Sequence, residues 1–192
     1  LTTDEPVLDI YGNPLSDFTH EIHSQDLPPV LQVPKKAMFI ESQMKSRIPV
    51  KAMNVSSLKA QFIPLKNPQE IARAFRLGNN QNTSYFGFNK DKIDFSVAIP
   101  DREPNVLENF DFPCEQALGA YAIFLTGEGY GSEADDVIST SIVAQITDIG
   151  ISTKISKGKL LTWITGLNTA KPIAGANVRV ISKQEKIIGS GK

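Results

Sequence analysis

Few residues in this chain have types and spacings suited to chemistry. The single cysteine, Cys114, stands in the run Cys114-Glu115-Gln116. As a nucleophile it needs a base to take its proton, and the only histidines, His20 and His23, lie far upstream in a different segment. As half of an internal thioester it needs two residues between cysteine and glutamine, and only Glu115 intervenes. One cysteine also excludes an internal disulfide and any zinc cluster built on paired cysteines, although a disulfide to another chain stays open. The expectation is a buried, inert thiol. His20 and His23 are three residues apart, which would align them on a helix, but their segment is extended in pattern and sends them to opposite faces. Gly127-Glu128-Gly129-Tyr130-Gly131-Ser132 begins like a dinucleotide-binding turn, yet Ser132 stands where a third glycine is required and no helical pattern follows. The acids nearby, Glu128, Glu133, Asp135 and Asp136, lack the alternating spacing of a calcium loop. Asn54-Val55-Ser56 and Asn82-Thr83-Ser84 match the glycosylation pattern, which matters only in a eukaryotic secretory route. No catalytic, cofactor-binding, metal or thioester residue is expected, and the chain reads as no enzyme.

The elements around these residues are strands. At 192 residues with 41% hydrophobic and 21% charged side chains, the composition is that of a globular protein and not of a disordered one. No apolar run reaches the ~18–20 residues that span a bilayer. The sequence starts at Leu1 without a leader pattern, so an export signal or membrane anchor would lie outside it. Charge divides unevenly: residues 1–147 carry 12 Lys/Arg against 19 Asp/Glu, and residues 148–192 carry 8 against 2. Lysines on strand faces and edges, where they discourage edge pairing, account for the basic part. Nucleic acid is not an expected partner, because Trp163 has no interleaved aromatic neighbours for stacking bases.

Seven strand candidates follow one another: 37–41, 48–54, 58–65, 93–99, 107–112, 120–126 and 139–147. Ile48/Val50/Ala52, Ile93/Phe95/Val97/Ile99 and Ile142/Ala144/Ile146 each fall on one face of a period-2 strand. Seven short strands in this length suit an immunoglobulin-like sandwich. One helix is predicted over 68–77, with Asn67 as N-cap, Pro68 at the first helical position, Gly78 after the end, and Ile71, Ala74 and Phe75 on one stripe. Upstream, Tyr11-Gly12-Asn13-Pro14 marks a turn, and Pro28-Pro29 marks a linker at about 24–35. Gly127 to Asp136 reads as a loop. Residues 148–192 hold about four strands, including 160–165 and 176–181 around the turn-rich insert Asn168–Gly175.

Three pieces carry a resemblance. The run Thr147-Asp148-Ile149-Gly150-Ile151-Ser152, then Leu160 to Leu167, then Lys171-Pro172-Ile173-Ala174-Gly175-Ala176-Asn177-Val178 resembles the start of a macroglobulin-like domain of bacterial alpha-2-macroglobulins. Leu118-Gly119-Ala120-Tyr121-Ala122-Ile123 resembles a late strand of the domain before it, and Asp9 to Leu15 followed by Pro28-Pro29 is similar to the end of an Ig-like domain. The resemblance implies an all-β chain of tandem Ig-like and macroglobulin-like antiparallel β-sandwich domains. Residues 1–33 would be the C-terminal part of an Ig-like domain plus linker, 34–147 a complete macroglobulin-like sandwich, and 148–192 the truncated start of another. It also implies a scaffold role in a broad-spectrum endopeptidase inhibitor that works by protease entrapment. The partners would be target endopeptidases, met through the full-length protein, and neighbouring domains. The location would be the periplasm or cell envelope of a bacterium, with membrane contact only through an anchor elsewhere. The alternative is a non-inhibitory Ig-like stalk of a cell-surface adhesin or surface-layer protein. Within the frame, the proline linker is expected to flex as a tether, whereas the junction at 145–150 runs strand to strand and holds its domains more firmly.

Overall fold

The computed structural model describes residues 8–14, 24–33, 37–43, 47–77, 93–99, 103–130 and 137–192. Eight strands build two facing sheets. One sheet contains β1 (Val30–Gln32), β3 (Arg47–Met53) and β6 (Glu108–Pro113) in the order β1-β3-β6. The other contains β2 (Ala37–Glu41), β4 (Val55–Leu65), β5 (Ile93–Ala98), β7 (Gly119–Gly129) and β8 (Val137–Thr147) in the order β2-β8-β7-β4-β5. The seven predicted strands are all present within a few residues of their expected ends. Among the described residues the pairings are antiparallel with one exception: β2 runs parallel to β8, Ala37 opposite Val143. A parallel partner cannot be read from local pattern, because it is joined through most of the domain rather than through a turn.

Period-2 alternation decides which side of each strand meets the core. In β3, Ile48, Val50 and Ala52 are buried while Arg47, Pro49 and Lys51 face water. Two prolines lie inside inner strands, where the missing N–H normally breaks a ladder. Each pairs on one side in the register given: Pro49 opposite Asp111 of β6 and Pro64 opposite Tyr121 of β7. Among the described residues, β1 pairs with residues 51–53 of β3 and β5 with residues 57–62 of β4, so neither of these ladders includes a proline. The main core, between the sheets, holds Ile48, Val50, Leu58, Phe62, Phe112, Ile123, Leu125, Ile142 and Ile146. Phe62 meets Tyr121, and Phe95 meets Phe112, edge to face.

The helix α1 (Pro68–Leu77) forms where it was predicted. Asn67 caps it by accepting the Glu70 N–H at 2.8 Å, and Glu70 reaches back to accept the Lys66 N–H at 3.3 Å. Its apolar stripe, Ile71, Ala74 and Phe75, covers Ile63, Leu65, Ala120, Ala122 and Val143 on the outer face of the five-stranded sheet, and Phe75 stacks on Phe39 of β2.

Beyond Thr147 the chain forms two hairpins. β9 (Ile149–Ser156) pairs with β10 (Lys159–Gly166) across a tight turn whose Gly158 has φ +67°. β11 (Val178–Ile181) pairs with β12 (Ile187–Gly191). The insert between β10 and β11 folds back on β10: the Gly166 N–H donates to Lys171 and the Ile173 N–H to Ile164. None of the buried residues of either core cluster lies beyond Ile146.

Candidate functional site

Cys114 follows β6 and is wholly buried in the main core. Burial away from water disfavours the thiolate and pushes its pKa up to about 11. A thiol held in that state is protonated at neutral pH and packs as a small apolar group. The turn that follows is anchored by Tyr121, whose hydroxyl donates to the Ala117 carbonyl at 2.9 Å.

Asn54, the asparagine of the first glycosylation pattern, is buried at the corner where the chain passes from β3 in one sheet to β4 in the other. Its φ of +54° makes that one-residue corner possible, since asparagine tolerates the left-handed region better than most residues. Its Nδ2 donates to the Leu27 carbonyl at 2.6 Å and to Asn105 Oδ1 at 2.9 Å, and its Oδ1 accepts the Asn105 N–H at 2.7 Å. Asn105, at φ +65°, accepts the Leu27 N–H at 2.6 Å and donates to Asp26 at 2.9 Å. A glycan on Asn54 would displace these bonds, so the amide serves the fold. The same bonds correct the tether expected at Pro28-Pro29. Residues 26–27 are clasped by the two asparagines, and Val30–Gln32 is an edge strand of the sandwich.

The glycine-rich run is strand for its first three residues, and this corrects the loop expected from Gly127 onward. β7 continues through Gly129, opposite Val55 and Ser57, where the register shifts by a bulge. A Cβ on Gly127 would lie 2.9 Å from Val55 Cγ1, so close approach of the strands requires glycine there. Glu128 accepts from Lys59 Nζ and from the Ser57 hydroxyl, the latter at 3.0 Å, and these bonds, led by that from Lys59, hold its carboxyl below the usual range. His20, His23, Asn82, Gly131, Ser132, Glu133, Asp135 and Asp136 lie outside the described residues.

Two features stand out at residues 147–192. The first is the junction expected at 145–150, whose side-chain bonds sequence reasoning did not find. Asp148 alone separates β8 from β9; its carboxylate accepts from the Ser42 hydroxyl, and its carbonyl accepts the Leu167 N–H at 2.7 Å. Gly150 is pressed against Leu167 and Thr165, with a Cβ there meeting side chains at 3.0–3.1 Å. Farther out, Arg73 of α1 holds Glu185 of the β11–β12 turn in a two-pronged pair: Nε donates to Oε1 at 2.9 Å and Nη2 to Oε2. The second is an open apolar groove of about 840 Å³ between the hairpins, lined by Ile155, Leu160, Ile164, Ile173, Val178 and Ile188. Ile155 is 80% exposed and Ile188 67%. The register puts Ile149, Ile151, Ile155, Leu160 and Ile164 on one face of the β9–β10 hairpin. Such a face is half of a core, because a two-stranded sheet needs a covering layer to be stable.

Residues 146–192 match the family model of the bacterial alpha-2-macroglobulin MG3 domain. A crystal structure of native alpha-2-macroglobulin from Escherichia coli spanning domains NIE-MG1 is similar over 86% of this chain and 83% of that one, with a TM-score of 0.67 at 16% identity. A second, spanning MG0-NIE-MG1, is similar over 97% of this chain with a TM-score of 0.63 at 15% identity. The chain spans about three fifths of that longer structure, 61%. No sequence among curated proteins matches. The fold is thus that of bacterial alpha-2-macroglobulin domains, and the resemblance read from 147–178 coincides with the stretch that the family model matches.

Proposed function

We propose that these residues are scaffold of a bacterial alpha-2-macroglobulin-like endopeptidase inhibitor that acts by entrapment. The observation that carries this is the coincidence of two signals: a family-model match at 146–192 and a shared fold over most of the chain. In this reading 1–33 closes an Ig-like domain, 34–147 is a macroglobulin-like sandwich to which the preceding stretch lends β1, and 148–192 contributes strands to a further macroglobulin-like domain. The chain supplies no chemistry of its own. Its part is mechanical: a closed sandwich and short connections keep neighbouring modules in a fixed arrangement until a cleavage elsewhere releases it. Target endopeptidases would be met by the whole protein, in the periplasm or cell envelope.

The test is to incubate the full-length protein with several endopeptidases and to follow its cleavage together with residual activity on large and small substrates. Entrapment predicts loss of activity on large substrates with small-substrate activity retained. An intact protein beside a fully active protease would instead point to the structural stalk. The chain 1–192 alone should inhibit nothing; stoichiometric inhibition by it would contradict a purely scaffolding part.

A further inference from the structure

The two acids of the basic segment do the same job. Residues 148–192 contain eight Lys/Arg and only two acids, Asp148 and Glu185. Both spend their carboxylates on residues upstream of 148: Asp148 on Ser42, Glu185 on Arg73. Among the described residues no apolar core residue bridges the two regions, since both buried clusters stop at Ile146. Covalently, the regions are joined at the single residue Asp148, which leaves rotation about that point as the freedom to be restrained. A bond at the pivot alone cannot fix rotation; a second bond away from it can. Glu185 supplies that second point. It projects from the β11–β12 turn, where its φ is +64°, and the turn is braced by the Glu185 N–H donating to Ser182 and the Ser182 N–H donating to Lys186. Arg73 sits on α1, which is itself packed to the sandwich through Ala74. The planar fork of arginine meeting both carboxylate oxygens gives directional restraint that a lysine would not.

We propose that Asp148 and Glu185 are positioning residues of an inter-module lock, in which Ser42–Asp148 sets the pivot and Arg73–Glu185 sets the angle of the C-terminal unit on the sandwich. This rests on the reading of 148–192 as a unit separate from the sandwich. Being ionic and partly exposed, the angular bond weakens in salt while the pivot persists. A lock of this kind can be broken by a small force or charge without unfolding either module, which suits a frame that must hold and then let go.

The experiment places spin labels at exposed Lys51 and Lys154 of the full chain, each changed to cysteine, with Cys114 too buried to label. The distance distribution between them is then measured. The original chain should give one narrow distribution. Arg73→Glu and Glu185→Arg should each broaden it, the double swap R73E/E185R should narrow it again, and Glu185→Gln should broaden it less. High salt should act like Glu185→Gln. A Gly-Ser insertion after Thr147 serves as the reference for a freed pivot. If the insertion broadens the distribution and the charge reversals do not, the lock is wrong while the separate unit stands. If neither broadens it, the separate-unit reading fails and the lock with it.

Discussion

The sandwich of residues 30–147 and the hairpins of 149–192 are written in the same strand-forming residues, yet they differ in what their apolar faces meet. In the sandwich, β4, β7 and β8 are each eleven residues long and are covered on one face by the second sheet and on part of the other by α1. In the hairpins, an equally regular apolar face opens onto a groove. The difference teaches that strand pattern alone does not make a core. A core needs a second layer, and here only the first region has one among the described residues.

Core truncation should break that comparison most sharply. Phe62→Ala removes a wholly buried ring from the main core and should cost about 3–5 kcal/mol in chemical denaturation. Trp163→Ala, whose side chain is 57% exposed, should cost well under about 1 kcal/mol despite the larger ring removed. Equal losses would mean that the hairpins share the sandwich's core.

Next in size is the corner. Asn54→Ala leaves the Leu27 carbonyl and Asn105 short of partners and puts an alanine at φ +54°, for an expected loss of about 2–4 kcal/mol. Hydrogen exchange of Val30–Gln32 should rise along with it, because the clasp holds the chain that leads into β1.

The buried thiol gives a pH test of the same sandwich. The folded pKa of Cys114, about 11, lies above its ordinary value of 9.0, so the fold disfavours the thiolate. The neutral thiol's contribution is therefore complete below pH 9 and is lost as pH rises from 9 through 11, by roughly 2–3 kcal/mol in full. Cys114→Ala should flatten that part of the stability curve relative to the unchanged chain. The helix cap is the smallest effect: Asn67→Ala should cost about 1 kcal/mol, while Asn67→Asp should keep most of the cap.

Much of the sandwich was legible before its coordinates. Ile48/Val50/Ala52 and Ile142/Ala144/Ile146 announced buried faces through simple alternation, and Asn67-Pro68 announced the helix through the chemistry of its first turn. What stayed hidden depended on residues far apart in sequence. Val30-Leu31-Gln32 is too short to read as a strand and follows two prolines; it pairs because β3 offers an edge, and prolines just before an edge strand break no ladder. Asn54 matched a glycosylation pattern, but its role is set by Leu27 and Asn105, which no local spacing brings to it. At the junction a signal was present and unused: two acids in a strongly basic segment invite the question of what they pair with. Gly127 looked like loop because glycine clusters usually are; here the glycine is required by the approach of Val55.

Hydrogen exchange resolved by peptide, on the chain of residues 1–192, tests the contrast between the two regions most directly. Amides of β4, β7 and β8 should be the slowest, opening only with global unfolding, while amides of β9 to β12 should exchange through a separate and lower-energy opening. Protection of β9–β12 equal to that of β4–β7–β8, lost in one cooperative step, would contradict the account and make the hairpins part of a single folded body.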